Sequence, residues 1–316
     1  MASTPHITVA VDNTAHKPRP HLDRLLEQAR AKGAIPVAVA YPCDAGSLQA
    51  AMQAAEAGLI KPLLVGPKER IEAAAAQAGL DLSHAEIHST ADDPRAAAAQ
   101  AAILCRDGAA KALMKGSLHS DELLGAAVAK EAGLRGSRRA SHVFVMDMPG
   151  MERPLLMTDC VVNIFPDLMA KRDIAQNAIE LAKAIGIDKP RVAVLSAVET
   201  VNPAIPGTID AAALSKMADR GQITGGIVDG PLAYDNAISL RSAQNKGIAS
   251  EVAGRPDVLL VPSLEAGNMI YKQLVYMADA ECAGIVLGMR VPIVLTSRSD
   301  SVEARIASCA LAVLAS

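Results

Sequence analysis

The sequence predicts an α/β protein of two lobes, each a parallel sheet covered by helices. Three observations carry that expectation. First, 316 residues of which 51% are hydrophobic can bury a substantial core and exceed what one small domain needs. Second, short Val/Ile/Leu runs alternate with longer Ala-rich stretches, the pattern of strands buried on both faces with helices between them. Third, the alternation breaks at 146–158 (MDMPGMERPLLMT), where two short strand-like pieces flank Pro149 and Gly150 with no helix between them. That break marks a crossing between lobes.

The apolar runs at 35–40, 62–65, 111–114 and 142–146 read as strands of the first lobe, separated by helical stretches such as 45–59 and 94–105. Beyond the crossing, strands near 191–195, 225–228, 258–261, 284–287 and 292–295 alternate with helices near 168–185, 211–218, 235–244, 267–277 and 302–314. The last strand and helix are assigned back to the first sheet. The expected first α/β domain is therefore discontinuous, 1–146 with 291–316, and the second spans 147–290. No element repeats at a fixed period and no segment is low in complexity.

A net charge of -3, with Lys and Arg dispersed among Asp and Glu, argues against a nucleic-acid surface, and 2% aromatic residues leave few stacking platforms for bases. No apolar run approaches the ~20 residues needed to cross a bilayer, and positions 1–7 lack the basic and apolar blocks of a signal peptide. The expected setting is the cytoplasm, with neither nucleic acid nor membrane as a partner. The five cysteines, Cys43, Cys105, Cys160, Cys282 and Cys309, are scattered without a CxxC pair and suggest neither a disulfide framework nor a zinc site.

In open parallel sheets, ligands bind beyond the carboxyl ends of the strands, where helix N-termini present unpaired N–H groups. Four such positions carry polar or glycine-rich runs: Lys115-Gly116-Ser117-Leu118-His119, Asp229-Gly230-Pro231, PSLEAGN at 262–268, and Thr296-Ser297-Arg298-Ser299. Taken singly, each is also ordinary turn and cap chemistry. Lys115, Lys272 and Arg298 add cations that can hold phosphate beside a helix N-terminus. No Walker A sequence, helix-opening GxGxxG, HExxH or GxSxG occurs, which withdraws support from P-loop hydrolysis, a standard dinucleotide site, a zinc hydrolase and a serine elbow. Of the seven dispersed histidines, only His119 lies beside Lys115 and Ser117.

The strings KGSLHSDELL (115–124), SRRASHVFVMD (137–147), TDCVVN (158–163), DGPLAYDNAIS (229–239), SEVAG (250–254), VLLVPSLEAGNMIYK (258–272) and SRSDS (297–301) resemble, in order and spacing, the successive motifs of the phosphate acetyl/butyryl transferase family. PVAVA (36–40) and GLIKPLLVGP (58–67) extend the resemblance over nearly the whole chain. KGSLH and TSR look closer to the phosphotransbutyrylase branch than to the acetyl-specific one, which favours propionyl- to butyryl-sized groups.

The resemblance implies two α/β domains with a cleft between them, related in fold to the isocitrate and isopropylmalate dehydrogenases, and a homodimer. It implies reversible transfer of a short acyl group, acetyl to butyryl, between CoA and inorganic phosphate through a ternary complex without a covalent enzyme intermediate. CoA or acyl-CoA and phosphate or acyl phosphate are then the substrates, and no cofactor or metal is implied. Ser297 and Arg298 carry over to the reacting centre, where an arginine fork can hold phosphate and a serine hydroxyl can hydrogen-bond the developing oxyanion. Lys115, Ser117, Arg138, Arg139, Cys160, Asn268 and Lys272 are candidate substrate-binding residues. Arg138 and Arg139 are either phosphate clamps or solvated charges. Cys160 reads as a packed thiol near the site rather than an acyl carrier, because no histidine neighbours it in sequence.

The base is where the chain departs from the family. Acetyl-specific members place an aspartate seven residues after the serine, and this chain has Ala304 there. Asp300 and Glu303 are near in sequence, although a helix after Ser297 turns at least one of them away from the cleft. Asp159, Asp229 and a phosphate oxygen of the substrate are the alternatives, with Asp229 the carboxylate grouped with Ser297 and Arg298 as catalytic. Two other readings compete. A metal-dependent decarboxylating dehydrogenase would need an aspartate cluster, for which Asp229 and Asp235 are the candidates; a non-catalytic CoA-binding module is suggested by Ala304.

Overall fold

The computed structural model of the chain describes residues 19–295 and 300–316. The first part of the chain forms α1 (Pro20–Lys32), β1 (Ile35–Ala40), α2 (Ala45–Glu56), β2 (Ile60–Gly66), α3 (Lys68–Ala78), β3 (Glu86–Ser89), α4 (Pro94–Arg106), β4 (Ala112–Lys115), α5 (Ser120–Val128) and β5 (Ser141–Asp147). Then come β6 (Leu155–Thr158), α6 (Leu168–Ala184), β7 (Arg191–Leu195), α7 (Pro206–Asp219), β8 (Ile227–Leu232), α8 (Tyr234–Ile238), α9 (Leu240–Asn245), β9 (Val258–Leu260), α10 (Leu264–Met277), β10 (Glu281–Leu287), β11 (Ile293–Val294) and α11 (Val302–Ala315). Helix starts are set by local chemistry: Asp44, Asp93, Asp167, Ser263 and Ser301 each precede a helix and accept a hydrogen bond from a backbone N–H of its first turn. The expected helix at 235–244 is two short ones, because Ser239 takes an extended conformation and caps the second.

The described strands make one mixed sheet in the order β3-β2-β1-β4-β11-β10-β5-β6-β9-β7-β8. The block from β3 to β11 is parallel and so is the block from β6 to β8, whereas β10 runs antiparallel to both β11 and β5, and β5 antiparallel to β6. Antiparallel neighbours can be joined by a tight turn, whereas parallel ones need a crossover. The helix-free stretch around Pro149 and Gly150 is such a turn, and a second follows β10. Three reversals lie between the blocks, so the strands of the second block run opposite to those of the first. The chain thus has two α/β lobes joined through a shared mixed sheet.

Alternating side chains reveal the two faces of that sheet. Val37, Val39, Met114, Val143, Val145, Ala283 and Ile285 point into one continuous core that runs under both lobes, covered by α1, α2, α3, α6, α7 and α11. On the other face the cover is split. Ala38, Leu113, Val286 and Ile293 pack under α4 and α5, while Phe144, Met146 and Met157 pack with α8, α9 and α10. Val161 touches both halves of the split cover.

Candidate active site

The chain leaves β1 toward α2 on the continuous face and leaves the adjacent β4 toward α5 on the split face. Two neighbouring strands whose connections diverge to opposite faces leave a crevice beyond their carboxyl ends, where ligands bind in open α/β sheets. A cavity of about 440 Å³ opens there, between the exits of β1 and β4 and the first turns of α2 and α11.

Gly116 is required by the closeness of the two exits. Its N–H donates to the Ala40 carbonyl at 2.9 Å, and a Cβ on it would lie 2.3 Å from that oxygen and 2.6 Å from the Tyr41 oxygen. Ser117 pins the same junction, donating its hydroxyl to Tyr41 O at 2.7 Å and accepting from the Cys43 N–H at 3.1 Å. Tyr41 itself holds φ 54, a left-handed conformation that costs a side-chain-bearing residue about 1–3 kcal/mol and tends to persist where function requires it.

Three cations line the crevice. Lys115 is buried at the end of β4, its Nζ donating to Leu118 O at 3.3 Å. Arg305, in the first turns of α11, reaches Gly46 O at 3.1 Å. Arg70 at the mouth is held by Asp92 at 2.9 Å and by the Tyr41 hydroxyl at 2.5 Å. Tyr41 donates to Asp92 at 2.5 Å, and its phenol is pushed up to about 12, mainly by burial. The same hydrogen bonds from Tyr41 and Arg70 lower the Asp92 carboxyl. Cys43, beside them, is pushed up to about 11 by burial and stays a thiol at neutral pH. Asp44 lines the same crevice and takes the Ser47 N–H of α2's first turn at 2.8 Å, so the donors offered to a phosphate-sized anion are chiefly the guanidinium and ammonium groups.

Of the residues expected from sequence, the structure brings Lys115 and Ser117 together in this crevice. Ser297 and Arg298 lie outside the described residues; β11, which leads toward them, pairs with β4 through Val294 and Met114, next to Lys115. Arg138 donates to Glu180 at 2.6 Å and to Asn177 at 2.8 Å, and Arg139 donates to Asn163 at 2.7 Å. Both precede β5, which runs parallel to β4, so they sit at the opposite end of the sheet from Lys115 and tie β5 to α6 and to the segment after β6. Asp229 accepts from the Ser250 hydroxyl and from Gly230 N–H at 2.9 Å, ordering the loop before β9. Asp159 accepts from Val161, Val162 and Asn163, and burial raises its carboxyl.

Cys160 is fully buried under α10, and burial pushes its thiol far up. Asn268 is half-buried and Lys272 exposed on α10. Asp229 and Asp235 do not converge: Asp235 takes the Ser242 hydroxyl and Lys246 instead. Among the described residues no three His, Cys, Asp or Glu side chains gather as a metal would require, and no helix is long and apolar enough to cross a membrane. Sequence reasoning missed Tyr41, Arg70, Asp92 and Arg305. KERIEA at 68–73 reads as an ordinary solvated helix, so Arg70 left no signal; Arg305, close after SRSDS, could have been found.

The model of the phosphate acetyl/butaryl transferase family matches residues 94–313. A phosphate acetyltransferase from Rhizobium meliloti is 58% identical over 294 residues, 92% of each chain. A phosphate butyryltransferase from Clostridium beijerinckii is 42% identical over 294 residues, 93% of this chain and 97% of its own. The solved branched-chain phosphotransacylase from Enterococcus faecalis V583 superposes with a TM-score of 0.78 at 29% identity, covering 89% of this chain and 98% of that one. These identities correct the expected lean toward the butyryl branch, since the acetyltransferase is the more similar. In KGSLH, Gly116 and Ser117 build the backbone junction of the crevice, a role that carries no information about acyl size. Motif order, fold and relatives agree that the chain belongs to the phosphate acetyl/butyryl transferase family and is an acyltransferase working between CoA and phosphate.

Proposed function

We propose that the chain transfers an acetyl group reversibly between CoA and inorganic phosphate through a ternary complex, with the phosphoryl group seated in the crevice between β1 and β4. The observation that carries this reading is the convergence of Arg70, Lys115 and Arg305 at that point of the sheet. The preference for acetyl is supported by the higher identity to phosphate acetyltransferases. Ser297 and Arg298 are assigned to the reacting centre on the family resemblance, and CoA to the gap in the split cover beside α10, which carries Asn268 and Lys272. A direct ternary mechanism is supported by Cys160, whose buried, protonated thiol makes a poor acyl acceptor.

The division into 1–146 with 291–316 and 147–290 draws support from the turn after β5, whereas β10, assigned to the second part, pairs along its length with β5 and with β11 of the first, which favours moving the second boundary ahead of β10. Kinship with the isocitrate and isopropylmalate dehydrogenases, the homodimer and the cytoplasmic setting rest on the resemblance; five free cysteines suit a reducing compartment.

Acetyl-CoA mixed with phosphate tests the reading through CoA release measured by thiol titration. Turnover should require phosphate, persist with a chelator present and leave no acyl mass adduct on Cys160, and Arg70→Ala should raise the phosphate KM about tenfold or more. Binding of acetyl-CoA without turnover would identify a CoA-binding module and overturn the proposal.

A further inference from the structure

Tyr41 combines a left-handed backbone with a buried side chain. At φ 54 it adopts a conformation that glycine takes without strain, so a chain that needed only the turn after β1 would be better served by glycine there. The conformation is held from the neighbouring strand exit. The Tyr41 carbonyl accepts from the Cys43 N–H at 2.9 Å, from the Ser117 N–H at 2.9 Å and from the Ser117 hydroxyl at 2.7 Å. Three donors on one oxygen fix the peptide, and with it the direction in which the side chain leaves. The residue is 6% exposed and lines the crevice.

At the mouth the phenol meets Arg70 and Asp92. The Tyr41 hydroxyl donates to Asp92 Oδ1 at 2.5 Å and accepts from Arg70 Nη1 at 2.5 Å, while the same Nη1 donates to Asp92 Oδ1 at 2.9 Å. Arg70 Cζ lies 5.3 Å from the Tyr41 ring centroid, within reach of a cation–π contact. The guanidinium is thus pinned by one nitrogen between two oxygens, and its Nε and Nη2 make no hydrogen bond among the described residues. Those two nitrogens form an edge that can take an anion in a bidentate pair. Local stability does not account for the arrangement. Arg70 stands in the first turn of α3, where a cation meets the positive end of the helix dipole, and its ion pair with Asp92 is half-exposed on both partners, so the pair is worth little by itself.

We propose that Tyr41 is a positioning residue for acyl transfer, which with Asp92 sets the Arg70 guanidinium to receive the phosphoryl group. The inference rests on the reading that seats phosphate in this crevice. It joins the strand-exit junction to the chemistry: Ser117 fixes Tyr41, Tyr41 fixes Arg70, and Arg70 meets the substrate. Asp92 brings a negative charge toward the same anion, but that charge is half-exposed and screened by solvent, so its hold on Arg70 outweighs its repulsion.

The test measures phosphate-dependent CoA release from acetyl-CoA in wild type, Arg70→Ala, Tyr41→Phe, Asp92→Ala and the two double variants that combine Arg70→Ala with each of the others, with urea unfolding of all six. Wild-type inactivity, or a phosphate KM left within about twofold by Arg70→Ala, would refute the phosphate seat itself and the inference with it. With Arg70→Ala impaired about tenfold or more, Tyr41→Phe should raise the phosphate KM about threefold or more while kcat and the acetyl-CoA KM stay within about twofold, and Asp92→Ala should act in the same direction. In the Arg70→Ala background, Tyr41→Phe should add no more than about 1.5-fold, because a residue that acts through the guanidinium has nothing left to position. A merely structural role would lower stability without that coupling. Asp92 is exposed, so its variants keep the cycle available if Tyr41→Phe does not fold. A phosphate KM unmoved by Tyr41→Phe, or an effect that multiplies in full with that of Arg70→Ala, overturns the assignment. A phosphate KM lowered by Asp92→Ala removes Asp92 from it.

Discussion

Gly116 shows how sharply a single residue can be dictated. The atoms its missing Cβ would meet are main-chain oxygens of Ala40 and Tyr41, which cannot step aside as a flexible side chain would. Gly116→Ala should therefore destabilise by about 2 kcal/mol or more in urea unfolding and weaken phosphate binding with it. A loss under about 0.5 kcal/mol would mean the junction relaxes freely. The glycine itself was legible in sequence as part of a polar tip, and so were Lys115 and Ser117. Arg70 was not, because its placement depends on Tyr41 and Asp92, which meet it only once β1, α3 and the segment after β3 have folded together.

Among the elements, β5 is the most informative. Its apolar run was readable at 142–146, but the sequence did not say that His142 would be wholly buried with neither ring nitrogen hydrogen-bonded among the described residues. Burial lowers its pKa to about 3, against an ordinary value of 6.5. The unfolded chain then binds the extra proton between those two values, so stability is full above pH ~6.5 and falls as pH drops through the window, by at most ~1.4 kcal/mol per unit. Melting temperature should decline from pH 7 to pH 5, and His142→Leu should flatten that slope; an unchanged slope would mean other groups set it. The short helices α1 and α3 went unread for a simpler reason, since each is mainly polar or Ala-rich and gains its order from the face it buries.

For the whole molecule, the rhythm of strands and helices announced an α/β fold and two lobes, while strand direction stayed hidden, because whether two runs pair parallel or antiparallel depends on connections whose path periodicity does not encode. Arg138 and Arg139 illustrate the consequence for site prediction: adjacent in a family-like string, they tie the start of β5 to α6 and Asn163 instead of joining Lys115. Arg138→Ala should cost about 1–3 kcal/mol of stability while leaving the phosphate KM within about twofold; a tenfold KM change would return it to the substrate site. The strand order has a further consequence for how the protein is made. Ile293 pairs with Leu113, so β4 leaves the ribosome long before its neighbour and waits through the synthesis of the entire second lobe. Until then that side of β4 is an open edge, able to pair with another nascent chain, and final closure of the first lobe must await the synthesis of β11. A ribosome that stalls before residue 291 would release a chain prone to aggregate rather than a smaller working enzyme.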